Sequence, residues 1–239
     1  MPPVFQPCTS LGLTIICRLD NNGKRVGANG FPDIRYDHYH EALNEEDTDK
    51  IDYFGLSCPD YKFEFDFPLP INLTSLSLFG CKIKTLRNVI LPKKLIRLDL
   101  SSNHLKKIPD DLPESLIYLN VSDNNIRRLW YIPPNLQTLN CKNNNIDKLP
   151  KEFPNSLREV KLQNNSITKL PKIIPSGIKL LEIQNNLILQ MPISIANCQE
   201  IEVQWEENFV EELPVEIDNV LTISINKPDY KNFIINKND

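Results

Sequence analysis

The residues of this 239-residue chain that could do chemistry are three histidines, six cysteines and a few acidic pairs. His38 and His40 flank Tyr39, and in an extended segment alternate side chains share a face, an arrangement that could hold a metal ion. A solvated surface accounts for them more simply, because no paired Cys/His spacing, HExxH or GxxxxGK accompanies them. Asp20-Asn21-Asn22-Gly23 looks like the start of a calcium loop. Lys24, however, interrupts the ligand alternation, and Phe31 stands where the twelfth-position Glu would close the loop. The stretch reads instead as a hairpin turn at Asn22-Gly23. In Glu45-Glu46 and Glu206-Glu207, adjacent carboxylates do not face one point and no nucleophile converges on them, so they read as solvated charge. Asn72-Leu73-Thr74, Asn120-Val121-Ser122 and Asn164-Asn165-Ser166 fit the glycosylation pattern, but chance matches explain them in an Asn-rich chain with no signal peptide. The sequence therefore predicts no enzyme, with no catalytic residue, metal or cofactor.

Composition places the chain among folded proteins of one domain or one repeat array. The hydrophobic fraction is 41%, enough for a core. Nineteen Pro against seven Gly point to stiff extended turns rather than flexible linkers. No run approaches the roughly 20 apolar residues of a membrane helix. Met1-Pro2-Pro3 lacks the positive start of a secretory signal, and Leu11 to Cys17 is short and reads as a strand. Cysteines 8, 17, 58, 81, 141 and 198 form no CxxC pair or dense cluster, and several fall at core positions of the register below. Buried reduced thiols are expected rather than disulfides, and with them an intracellular location: the cytoplasm, or a host's cytoplasm for a pathogen or viral protein.

The elements that position these residues follow from an internal period. Leu95, Leu98, Leu100, Asn103, Leu105 and Ile108-Pro109 open one unit. Leu116, Leu119, Val121, Asn124, Ile126 and Leu129 form the next. Leu136, Leu139, Cys141, Asn144, Ile146 and Leu149-Pro150 follow, then Leu157, Val160, Leu162, Asn165, Ile167 and Leu170-Pro171. Ile178, Leu181, Ile183, Asn186, Ile188 and Met191-Pro192 make a further unit. Leu73, Leu76, Leu78, Cys81, Ile83 and Leu86 make an earlier one, with Cys in place of Asn. The starts at 73, 95, 116, 136, 157 and 178 recur with a period of about 21 residues. Within each unit the fourth and sixth residues alternate along a short strand, so both point inward. Stacked units build a parallel sheet, and a recurrent asparagine (Asn103, Asn124, Asn144, Asn165, Asn186) satisfies backbone groups where the chain turns in.

Degenerate units flank this array. Ile51, Phe54 and Leu56 fit strand positions one period before Leu73, Leu76 and Leu78. Cys198, Ile201 and Val203 fit on the far side, with a short insertion before Asn208, Val210 and Leu213-Pro214. Val220, Ile223 and Ile225 read as a last strand. The expected organisation is an N-terminal cap at 1–50, made of a hairpin and a short helix near Asp37 to Asn44. A solenoid follows at 51–225 with its regular core at 72–192, and then a tail at 226–239.

The pattern LPxxLxxLxxxxNxIxxLP over residues 72–192 resembles the short-repeat subtype of leucine-rich repeats found in secreted bacterial effectors; similar arrays occur in proteins of large DNA viruses and protists. The resemblance implies a right-handed superhelix dominated by β-structure, within the broader α/β solenoid class. It puts a parallel sheet on the concave face and extended, polyproline-like segments on the convex face, where Ile108-Pro109 to Pro113 and Leu149-Pro150 to Pro154 fit. Some such effectors carry a C-terminal ubiquitin-ligase domain. The chain ends soon after its repeats, so that activity is not expected, and the unequal repeat lengths depart from the strictest effector pattern.

Charge is uneven along the chain. Residues 1–71 hold 6 Lys/Arg and 12 Asp/Glu, residues 72–192 hold 18 and 9, and residues 193–239 hold 3 and 10. Register places Lys84, Lys106, Lys107, Arg127, Arg128, Lys148 and Lys169 in a basic strip along one edge. That strip is either a solvated edge that aids solubility or an attractor of acidic protein, phosphorylated headgroups or nucleic acid. Nucleic acid is disfavoured by the overall acidity and the lack of interleaved aromatics. On the concave sheet, Arg97, Asp99, Tyr118, Asn120, Lys142 and Lys161 form a candidate binding set with Tyr118 as anchor, and Trp205 projects near the C-terminal end of the same face. Trp130 is expected to pack over the coil edge, and His104 to be exposed. The functional expectation is a module that binds a partner protein of unknown identity. The alternative is a structural component of a larger particle. Either a monomer or a subunit of a hetero-assembly is expected, with no membrane span.

Overall fold

A buried residue between two outward ones is the smallest unit of a half-buried strand, and the Leu-x-Leu step writes one into each repeat. The structure, a computed structural model, describes residues 13–19, 25–26, 34–36, 51–57, 69–87, 89–198 and 201–210. Contacts divide the chain into two units. The first runs to Asn120 without residues 106–108, which belong with the second, from Val121 onward.

The first unit contains β1 (Leu13–Leu19), β2 (Arg25–Val26), β3 (Ile34–Tyr36), β4 (Ile51–Ser57), β5 (Ser75–Phe79), β6 (Arg97–Asp99) and β7 (Tyr118–Asn120). β1 runs antiparallel to β2, β3 and β4, with an irregularity between Cys17 and Arg18 in its pairing with β4. Leu19 pairs with Arg25, and the hairpin turn expected at Asn22-Gly23 lies outside the described residues. From β4 onward the pairing is parallel. Phe54 lies opposite Leu76, Leu76 opposite Leu98, and Leu98 opposite Leu119.

The second unit contains β8 (Thr138–Asn140), β9 (Glu159–Lys161), β10 (Leu180–Glu182) and β11 (Glu202–Gln204). These strands are also parallel, with Leu139 opposite Val160, Val160 opposite Leu181, and Leu181 opposite Val203. Among the described residues the helical structure is one 3-10 turn, Ile193–Asn197. The architecture is a solenoid of short parallel strands with almost no helix among the described residues, as the period predicts.

Prolines start the repeats. The carbonyls of Pro70, Pro92, Pro113, Pro133, Pro154 and Pro175 each accept the N–H of the first apolar residue three positions on, at 3.1–3.2 Å. Proline suits the site because its φ is preset for a turn and it has no N–H to satisfy. The chain closes inward through a left-handed residue just before each ladder position. Gly80, Ser102, Asp123, Asn143, Asn164, Asn185 and Glu207 all have φ between 51° and 67°.

The last described repeat corrects the sequence reading. Val203, not Ile201, pairs with Leu181, and Trp205 takes the next inward position. The extra length falls ahead of the strand, in the stretch holding the 3-10 turn. From Val203 to Asn208 the spacing equals that from Leu181 to Asn186. The helix near Asp37 to Asn44, the strand at Val220 to Ile225 and the tail at 226–239 lie outside the described residues, as do His38, His40 and Glu45-Glu46.

Candidate functional site

In every short strand the first and third side chains face away from the core, so the repeat builds two outward columns. In the first unit β5 contributes Ser75 and Ser77, β6 Arg97 and Asp99, and β7 Tyr118 and Asn120. Register sets Arg97 beside Tyr118 and Asp99 beside Asn120. The Arg97 guanidinium lies 4.1 Å from the centre of the Tyr118 ring, a cation–π contact. Asn120 Nδ2 donates to Asp99 Oδ2 at 3.2 Å. The other Asp99 oxygen accepts the Ser101 amide at 2.9 Å and the Ser101 hydroxyl at 2.5 Å. Four of the predicted contact residues are thus brought together and held in place.

The second unit carries a different network. Lys161 Nζ lies 3.2 Å from Glu182 Oε1, and Gln163 Nε2 donates to Glu182 Oε2 at 2.7 Å. Gln184 Nε2 donates to Gln204 Oε1, whose own amide donates to Glu202 Oε1 at 2.7 Å. Lys142 continues the outward column beyond the end of β8, half-buried, and its amide N–H donates to Asn140 Oδ1 at 3.2 Å. Sequence reasoning placed Glu182 in the outward column but missed Gln163, Gln184, Glu202 and Gln204. The register that singled out Lys142 would have found Gln163 and Gln184 one and two repeats later.

Trp205 requires a correction. It is 4% exposed and belongs to the core rather than the outward face. Trp130 requires the opposite one. It is 68% exposed and Tyr131 beside it is 47% exposed, so both present most of their surface to solvent rather than packing.

The basic residues of the edge are exposed: Lys84 in the first unit, and Lys106, Lys107, Arg127, Arg128, Lys148 and Lys169 in the second. Arg128 and Lys148 form a parallel bridge, the Leu129 amide donating to the Lys148 carbonyl at 3.0 Å. Arg127 has a loose ion pair with Asp147 at 3.9 Å, and the Arg128 guanidinium lies 5.2 Å from the Trp130 ring. His104, after the ladder Asn103, is exposed.

The asparagine ladder holds the coils beneath these surfaces. Asn103 Oδ1 accepts the Ile83 amide at 2.9 Å while its Nδ2 donates to the carbonyls of Leu78 and Leu100. Asn144, Asn165 and Asn186 repeat the arrangement with Ile126, Ile146 and Ile167, and Asn208 extends it to Ile188. Asn124 donates to the carbonyls of Val121 and Ser122. Cys81, Cys141 and Cys198 are buried free thiols, and burial pushes Cys141 and Cys198 above the usual thiol range. Among the described residues no group of His, Cys, Asp or Glu is placed to hold a metal ion, and no helix is long and apolar enough to cross a membrane.

The Leucine Rich Repeat family model matches residues 94–114 and 135–155. No curated protein matches the sequence. Among solved structures, the chain is similar to YopM, a leucine-rich effector protein from Yersinia pestis. The two are 28% identical, with a TM-score of 0.54, over 67% of this chain and 45% of that one. It is also similar to an internalin from Listeria monocytogenes, at 19% identity and a TM-score of 0.51, over 65% of this chain and 47% of that one. The APL1 leucine-rich repeat domain is 25% identical with a TM-score of 0.50, over 59% and 38%. This chain spans less than half the length of each of these three. The period, the asparagine ladder and these likenesses agree on a leucine-rich-repeat solenoid.

Proposed function

We propose that the chain is a non-catalytic module that binds a partner protein through the outward face of its sheet. Each unit offers its own contacts: Arg97, Asp99, Tyr118 and Asn120 in the first, and Lys142 and Lys161 in the second. The leucine-rich-repeat fold is generally an interaction fold without catalysis of its own. The observation that carries the reading is the Arg97–Tyr118 stack at 4.1 Å. Arg and Tyr are enriched among residues that dominate binding energy, and stacking pre-orders both side chains before a partner arrives. A strand holds such a pair more rigidly than a loop does. The basic edge adds long-range attraction for an acidic partner and so raises the association rate more than the affinity.

The solved structure of YopM is described as an effector, and on that likeness the partner is a host-cell protein met in the host cytoplasm. Affinity capture from cell extract tests the reading. The wild-type chain recovers a defined partner, while Arg97→Ala with Tyr118→Ala, and separately Lys161→Ala, reduce its recovery. Truncating a central anchor costs about 2 kcal/mol or more, which is a loss of roughly thirtyfold in affinity. If every partner were kept by all of these variants, the face would be misassigned.

A further inference from the structure

The basic edge of the second unit combines two features that the sheet face lacks. Its cations recur at one position of successive repeats, and a large aromatic side chain stands clear among them. Lys107, Arg128, Lys148 and Lys169 follow one another at intervals of one repeat. The parallel bridge between Arg128 and Lys148 fixes two of them in adjacent coils, about 4.8 Å apart. In extended backbone, residues two apart share a side, so Trp130 lies on the same side as Arg128. Its ring is 5.2 Å from that guanidinium and 68% exposed. At the position of Trp130 the other repeats have Arg87, Pro109, Pro150, Pro171 and Pro192. The aromatic is therefore not demanded by the coil, and most of its surface faces solvent.

We infer that this edge docks the protein on an anionic lipid surface, the cations meeting the headgroups and Trp130 entering the interface. An extended acidic peptide presents same-side carboxylates about 6.7 Å apart, out of step with cations stacked at about 4.8 Å. Headgroups in a fluid leaflet take up whatever spacing the cations offer. Indole suits this setting because its body is apolar and its N–H stays wet at headgroup level. Single-stranded nucleic acid would need aromatics interleaved along the strip, and the strip has one tryptophan. Asp147 beside Arg127, at 3.9 Å, takes part of one charge and leaves Arg128, Lys148 and Lys169 to dominate.

The chain has two tryptophans, and Trp205 is buried, so intrinsic fluorescence reads the docking directly. The full chain is mixed with vesicles of phosphatidylcholine alone or with about 30% phosphatidylserine, a surface that attracts clustered cations. The expected result is cosedimentation and a blue shift of emission with the anionic vesicles only, both reversed at high salt. Trp130→Phe abolishes the shift and leaves the Trp205 emission in place. Arg128→Gln with Lys148→Gln weakens vesicle binding roughly thirtyfold, taking about 1 kcal/mol per cation near the surface. Circular dichroism confirms that the variants remain folded. Equal binding to neutral vesicles, or no binding to anionic ones by folded protein, would overturn the inference. So would the Arg128/Lys148 pair being needed for polyglutamate or oligonucleotide binding while anionic vesicles are ignored.

Discussion

The backbone amide of Ile126 donates to Asn144 Oδ1 at 2.9 Å, joining one coil to the next across 18 residues of chain. Asn144 Nδ2 in turn donates to the carbonyls of Val121 at 2.9 Å and Cys141 at 3.1 Å. One buried side chain thus satisfies groups from two repeats. Asn144→Ala should cost about 1–3 kcal/mol for each buried group left without a partner. Asn144→Asp should also destabilise at neutral pH, because it keeps the acceptor but replaces both donors with charge facing carbonyls. Urea unfolding measures both; an unchanged midpoint for either would show that the ladder is not what holds the coils.

A second column runs beside the ladder. Asn185 Nδ2 donates to Asn164 Oδ1 at 2.9 Å, Asn164 to Asn143 at 2.6 Å, and Asn143 to Asp123 at 2.7 Å. All four have positive φ, which Asn and Asp tolerate better than other L-residues. Glu207 closes the column at φ 56° without that tolerance. Glu207→Asn should therefore stabilise the protein by about 0.5–1 kcal/mol, part of the left-handed cost. The shift in thermal midpoint reads it, and a lowered midpoint would refute the strain argument.

The parts of this fold that were legible in the sequence are those in which one environment recurs in phase. Leu98, Leu119 and Leu139 each sit between two outward residues, so alternation alone places them. Trp205 was misplaced for a related reason. A slip of two positions preserves alternation, and Cys198, Ile201 and Val203 fit the template as well as the true strand does. Within the strand the slip keeps each side chain's direction, but it moves Trp205 from the turn position of Asn185, beyond the strand, to the inward position of Ile183. Trp130 was misread because an apolar residue after a repeat leucine looks like cover, whereas exposure depends on what the neighbouring coils supply. The link from Gln163 to Glu182 depends on rotamers across repeats, which no periodicity spells out.

The two tryptophans should behave oppositely on truncation. Trp205→Ala empties a core position and should cost about 3–5 kcal/mol. Trp130→Ala removes a side chain that is 68% exposed and should change stability by no more than about 0.5 kcal/mol. Denaturant midpoints of the two variants test the assignment of one to the core and the other to the surface. Equal losses would contradict it.

Cys141 makes stability depend on pH. Its thiol is buried among apolar side chains, and burial raises its pKa above the ordinary thiol value. In the unfolded chain the thiol ionises near pH 8.5, so above that pH the unfolded state binds fewer protons than the native state. The sign follows: this contribution is fully present below about pH 8.5 and is lost as pH rises, at up to about 1.4 kcal/mol per pH unit. Cys141→Val should flatten the decline while keeping the fold, since Val121 occupies the same inward position one repeat earlier. Urea unfolding under reducing conditions, from about pH 7.5 to 9.5, compares the two proteins across that window. Other groups titrate there in both, so the difference between the curves isolates the thiol. Parallel curves would mean that Cys141 ionises as readily folded as unfolded, and its burial would then have no hold on its proton.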